Sequence, residues 1–139
     1  MKADKRKLER LKRIERVRSI SKHVAATQAA AAEGTLGQLL SLRDRTRTIA
    51  GSYDPQGLCV QGGDLRVLGS FLGGMHRLTQ QTEDDIVTAR SVADARQADL
   101  VSAEKRQSVV TDKIDEVVRG LRKEKAEPAP PRRKNWHGS

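Results

Sequence analysis

Apolar residues recur every three to four positions through most of this chain, and the recurrence is cleanest after Asp64. With heptad position a set at Leu65 and d at Leu68, the a slots are Leu65, Leu72, Thr79, Ile86, Ala93, Leu100, Gln107, Ile114 and Leu121. The d slots are Leu68, Met75, Thr82, Ala89, Arg96, Ala103, Val110 and Val117. Seven of the nine and six of the eight are apolar, and a heptad sustained over this many turns marks a coiled coil. The pattern predicts a helix from about 64 to about 125, with Asp64 as N-cap and a stop ahead of Pro128. Gly69, Gly73 and Gly74 soften its first turns.

A second helix is predicted upstream, over about 5–50, where proline is absent and strong helix formers dominate apart from Gly34 and Gly37. Its apolar positions begin as Leu8, Leu11, Ile14, Val17 and Ile20, a run of threes that drifts around the helix because three residues fall short of one turn. Two seams are compatible with it. One follows Leu8, Leu11, Ala25, Ala29, Ala32, Leu36 and Leu39; the other follows Ile14, Val17, Val24, Ala31, Leu42 and Ile49.

Between the helices, residues 51–63 read GSYDPQGLCVQGG, with four glycines and Pro55, which is the chemistry of a turn. Residues 128–139 form a basic, proline-rich tail expected to be disordered. The expected architecture is all-α: a long two-stranded antiparallel coiled-coil helical hairpin, one domain over 1–127. A turn centred near Gly57 pairs residues whose numbers add to roughly 115. Leu72 then faces Leu42, Met75 faces Leu39 and Leu78 faces Leu36. Helix 1 runs out before helix 2 does, so Ile114, Val117, Val118 and Leu121 overhang as an apolar stripe beside Arg119, Arg122 and Lys123. Such a stripe is a candidate binding surface.

Composition supports a thin seam over a thick core. Of 139 residues, 36% are hydrophobic and 32% charged, while the aromatics are Phe71, Tyr53 and Trp136 alone. The net charge is +9, and residues 1–22 hold ten Lys or Arg against three acids. Partners are therefore expected to be acidic: nucleic acid, anionic lipid or an acidic protein surface. Antiparallel pairing brings this segment to the same end as the cations after Lys113, away from Glu83, Asp84 and Asp85.

Chemistry for catalysis is not visible. Cys59 is the single cysteine, and with His23, His76 and His137 scattered it makes no four-ligand zinc spacing. Gly73-Gly74 lacks the strand, Lys and Ser/Thr of a phosphate-binding loop. Glu83-Asp84-Asp85 reads as a solvated face, and Glu9/Arg13 with Glu15/Lys22 as surface charge. No enzyme activity, cofactor or metal is expected. The missing apolar run at the N-terminus and the lone thiol point to the cytoplasm. A basic coiled-coil protein that binds nucleic acid is the alternative, although aromatic stacking platforms and a recognisable binding motif are lacking. A generic homodimeric scaffold is a third possibility.

The basic first helix, the turn with Tyr53 and glycines, the string Asp64-Leu65-Arg66-Val67-Leu68-Gly69-Ser70-Phe71-Leu72, and Ala103-Glu104-Lys105-Arg106 on a longer second helix are similar to the FliJ family of flagellar export proteins and to type III secretion stalk proteins. The resemblance covers nearly the whole chain. It implies an antiparallel coiled coil like the rotary γ subunit of F-type ATPases, acting as the central stalk of a hexameric export ATPase, docking to the cytoplasmic domain of the export gate and escorting export chaperones. It further implies peripheral association with the inner membrane through the gate, while a hairpin that satisfies its own seam is expected to be a monomer, with no specific nucleic acid. On this likeness the gate-docking residues correspond to Phe71, Met75 and Leu78. The ATPase-facing residues correspond to Arg10, Arg13, Arg16, Arg119 and Arg122, and the overhang adds Ile114, Val117 and Leu121.

Overall fold

The computed structural model describes residues 2–52 and 62–126. They form an all-α helical hairpin of two long packed helices, α1 (Lys2–Ser52) and α2 (Gly62–Ala126). Gly51 and Ser52 still belong to α1, and Gly62 and Gly63 to α2, so the expected turn is trimmed at both ends. The rest of that turn, and the tail 128–139, lie outside the described residues. Asp64 is the third residue of α2 and not its N-cap. Its carboxylate in the first turn and Lys123 and Lys125 in the last both complement the helix dipole.

Contacts divide the chain into two compact units. One, here the terminal unit, joins Met1–Val24 to Leu100–Ser139; the other, the middle unit, is Ala25–Asp99.

In the middle unit the heptad of α2 is inward nearly slot by slot. Leu68, Leu72, Met75, Thr79, Thr82, Ile86, Ala89 and Ala93 are all buried or half-buried. Leu65 is the apolar exception, 57% exposed, and Arg96 turns outward to donate to Gln28 Oε1 at 3.1 Å. The inward residues of α1 are Ala25, Ala29, Ala32, Leu36, Leu39, Arg43, Thr46 and Ala50, spaced alternately by four and three. Here α1 uses the first of its two seams. Leu42 and Ile49, from the second, are exposed. Alanines Ala29 and Ala93 are buried on facing sides, and Ile86 supplies bulk between them and the threonines. Thr46 and Thr82 are almost fully buried, yet neither leaves a polar group unsatisfied. Their hydroxyls donate back to the carbonyls of Leu42 and Leu78, at 2.8 and 2.7 Å, which leaves the methyl groups for the seam.

Two cross-helix bonds set the register of this unit: Gln28 with Arg96, and Arg47 with Glu83 at 3.0 Å. Numbers paired across the seam thus add to 124 and 130, not to roughly 115. Leu39 shares a groove with Asp85, Thr88 and Ala89, so it does not face Met75, and the exposed Leu42 does not face Leu72. The displacement has a physical reason. Register in a coiled coil is decided by which knobs fit which holes, and the connection need not be symmetric about its midpoint. The surplus of α2 therefore falls at its first turns, where Leu65 is 57% and Val67 70% exposed.

In the terminal unit the expected overhang is absent. Lys2 and Lys5 of α1 share a groove of about 180 Å³ with Leu121, Glu124 and Lys125 of α2, so α1 reaches the last turns of its partner. Ile114 is buried, and Val117, Val118 and Leu121 are half-buried. The inward side of α1 holds Leu8, Leu11, Glu15, Arg18 and Lys22, all half-buried. Glu15 and Lys22, expected as surface charge, are instead half-buried at inward positions, as long side chains can be when they lay their stems along an apolar surface.

Candidate functional surfaces

The terminal unit concentrates the charge. Over its described residues, 2–24 and 100–126, it carries 17 Lys or Arg against 8 Asp or Glu, a net +9. The described residues of the middle unit, 25–52 and 62–99, carry 7 against 8, a net −1. The ion pairs Arg43–Asp44, Arg47–Glu83 and Arg96–Asp99 belong to the middle unit. Most of the cations of the terminal unit are exposed, Arg10, Arg13, Arg16 and Arg122 among them.

Arg10, Arg13, Arg16, Arg119 and Arg122 are all exposed. Arg119 bends back to donate to the Asp115 carbonyl at 3.4 Å, while Arg16 borders a shallow groove with Lys12, Glu15 and Ser19. Ile114, Val117 and Leu121 do not join this surface, because they point into the seam.

In the middle unit Phe71 is 39% and Leu78 42% exposed. They stand seven residues apart, hence in one heptad slot beside the seam. Met75 is different. It occupies a d slot, is half-buried, and its carbonyl accepts the Thr79 hydroxyl at 2.8 Å. The acidic run splays as adjacent helical residues must: Glu83 meets Arg47, Asp85 accepts from Gln81 at 3.1 Å, and Asp84 is exposed.

Among the described residues no group of three or more His, Cys, Asp or Glu is placed to hold a metal ion, and no helix is long and apolar enough to cross a membrane. Cys59 and His137 lie outside the described residues.

One surface is absent from the sequence reading. Ile14, Val17, Ile20 and Val24 are 37%, 60%, 65% and 48% exposed, while Glu15, Arg18 and Lys22 at the same levels turn inward. Over these three turns four aliphatic side chains face out while three charged ones face in. The drifting run of threes was its signal, since a drift must carry some of those residues off any single seam. Comparison with protein-family models, with curated proteins and with solved structures finds no match to this chain.

Proposed function

We propose that this chain is a stalk and escort protein of a flagellar or related type III export apparatus. It engages a hexameric export ATPase through the exposed arginines of its terminal unit, the export gate through Phe71 and Leu78, and export chaperones as it does so. The observation that carries the reading is the segregation of charge on an antiparallel hairpin: +9 in the unit that holds both termini, −1 in the other. A hairpin with one strongly basic unit and one near-neutral unit suits a part that is held electrostatically through one and presents apolar side chains from the other. The FliJ-like strings in its sequence supply the specific assignment. In this reading Met75 holds α2 in its seam and positions Phe71 and Leu78 on one face beside it.

Reversing charge at Arg10→Glu, Arg13→Glu and Arg16→Glu is expected to leave the helical signal intact, because all three side chains are exposed, and to weaken capture of the ATPase ring by about tenfold or more. Unchanged capture in a pull-down at moderate salt would defeat the assignment. If the same variant instead loses retention of duplex DNA on a filter, with no ATPase binding in either form, the chain is a nucleic-acid-binding coiled coil.

For the other surface, Phe71→Ala with Leu78→Ala should reduce capture of the gate's cytoplasmic domain by roughly tenfold, as expected when two apolar anchors leave a small interface. The melting temperature should move little, since both residues flank the seam. A gate interaction indifferent to the pair would remove Phe71 and Leu78 from the docking surface.

A further inference from the structure

We propose that the outward face of α1 between Arg10 and Val24 seats on an anionic lipid surface, with Ile14, Val17, Ile20 and Val24 entering the headgroup boundary. The inference does not rest on the export reading. It starts from the inverted segment: in these turns Ile14, Val17, Ile20 and Val24 are 37–65% exposed while Glu15, Arg18 and Lys22 face inward.

At 100° per residue the four aliphatics span an arc of about 120°, its centre about 130° around the helix from that of Glu15, Arg18 and Lys22. Isoleucine and valine are poor choices for exposed helix positions on propensity grounds, so helix formation does not account for them. The arc is also wide. The spacing of three, three and four sets Ile14 and Ile20 about 60° to either side of Val17, whereas a partner helix in a coiled coil reads a narrower seam. A broad apolar arc fits a plane.

Charge selects the kind of plane. Arg6, Arg10 and Arg13 lie on the same outward arc and Arg16 at its edge, all exposed. Of the three acids in this stretch, Asp4 and Glu15 face the seam and are half-buried, which leaves Glu9 alone near the arc. Arginines flanking an aliphatic band can keep their guanidinium groups at phosphate level while their stems lie along the acyl boundary. A second copy of the chain is disfavoured, because it would set one +9 unit against another. A nucleic-acid backbone would satisfy the arginines and leave the aliphatic band in water. With no helix able to span a bilayer among the described residues, the helix would lie on the surface.

The test is co-sedimentation of the full chain with vesicles of phosphatidylcholine alone and of phosphatidylcholine with phosphatidylglycerol, at near-physiological salt. The chain should sediment with the anionic vesicles and stay in solution with the neutral ones. Ile14→Ser, Val17→Ser, Ile20→Ser and Val24→Ser together should keep the helical circular dichroism and lower the partition by roughly tenfold or more. The milder pair Val17→Ser with Ile20→Ser, at the two most exposed positions, should fall between. Failure to sediment with anionic vesicles overturns the proposal. So does equal partition of wild type and the Ser variants, or equal affinity of both for duplex DNA that displaces them from vesicles, since either would leave only polyanion attraction. Capture of the chain by an acidic helical protein through these four side chains, without vesicle binding, would replace the lipid with a protein occupant.

Discussion

Ile114→Asp combined with Val117→Asp should destabilise the hairpin by about 4 kcal/mol or more and strip helix from the terminal unit. Ile114 is 9% exposed and Val117 half-buried, both on the inward side of α2. Counting inward from Lys5 and Leu121, which share a groove, places Leu8 and Leu11 of α1 at about the levels of Val117 and Ile114. These are the aliphatic contacts that hold this part of the seam, for the next inward residues of α1 are Glu15, Arg18 and Lys22. Losing Ile114 alone removes on the order of 2–3 kcal/mol of apolar burial, and a carboxylate in its place must ionise without a designed partner or take up a proton. Circular dichroism through a urea titration reads the effect. A control at Val109→Asp, 67% exposed on the same helix, should cost less than about 0.5 kcal/mol. If the double variant proved as silent as the control, the register drawn from Lys2, Lys5 and Leu121 would be wrong and the overhang would return.

The contrast between the two helices explains how far the fold was legible. On α2 the apolar period is regular, and the slots assigned from Leu68 onward are the ones that face inward, with Arg96 turned out to Gln28. On α1 two seams competed, because the true one is interrupted by Glu15, Arg18, Lys22 and Arg43 while Ile14, Val17 and Val24 advertise the false one. Long charged side chains can occupy seam positions by burying their stems, and a pattern of letters does not distinguish that from exposure. Register was not legible either. A heptad matches itself at every seven-residue step, so periodicity permits several pairings, and assuming a turn symmetric about Gly57 chose the wrong one. The candidate surfaces divide along the same line. Exposed Arg10, Arg13, Arg16, Arg119 and Arg122 needed only charge and helix to be placed, whereas Ile114, Val117 and Leu121 depended on register and moved to the interior.

Gly34→Ala with Gly37→Ala should raise stability by about 2 kcal/mol, roughly one for each site. Both glycines lie inside α1, and both are exposed. A Cβ at either would meet nothing within 4 Å, and no glycine among the described residues has positive φ. Alanine therefore fits the existing backbone without displacing a neighbour, and it reduces the freedom of the unfolded chain. The gain should appear as a later urea midpoint with an unchanged slope, since the surface exposed on unfolding is the same. A destabilised double variant would mean that the backbone near Thr35, whose hydroxyl donates to the Ala31 carbonyl at 3.1 Å, departs from a regular helix in solution. Neither a tight turn nor a close approach requires glycine at these positions, so what the pair contributes is ease of local opening in the middle of α1. Amide exchange measured across Ala31–Leu40 should then slow in the alanine variant by more than it does in α2 near Thr111, a region the substitution does not touch.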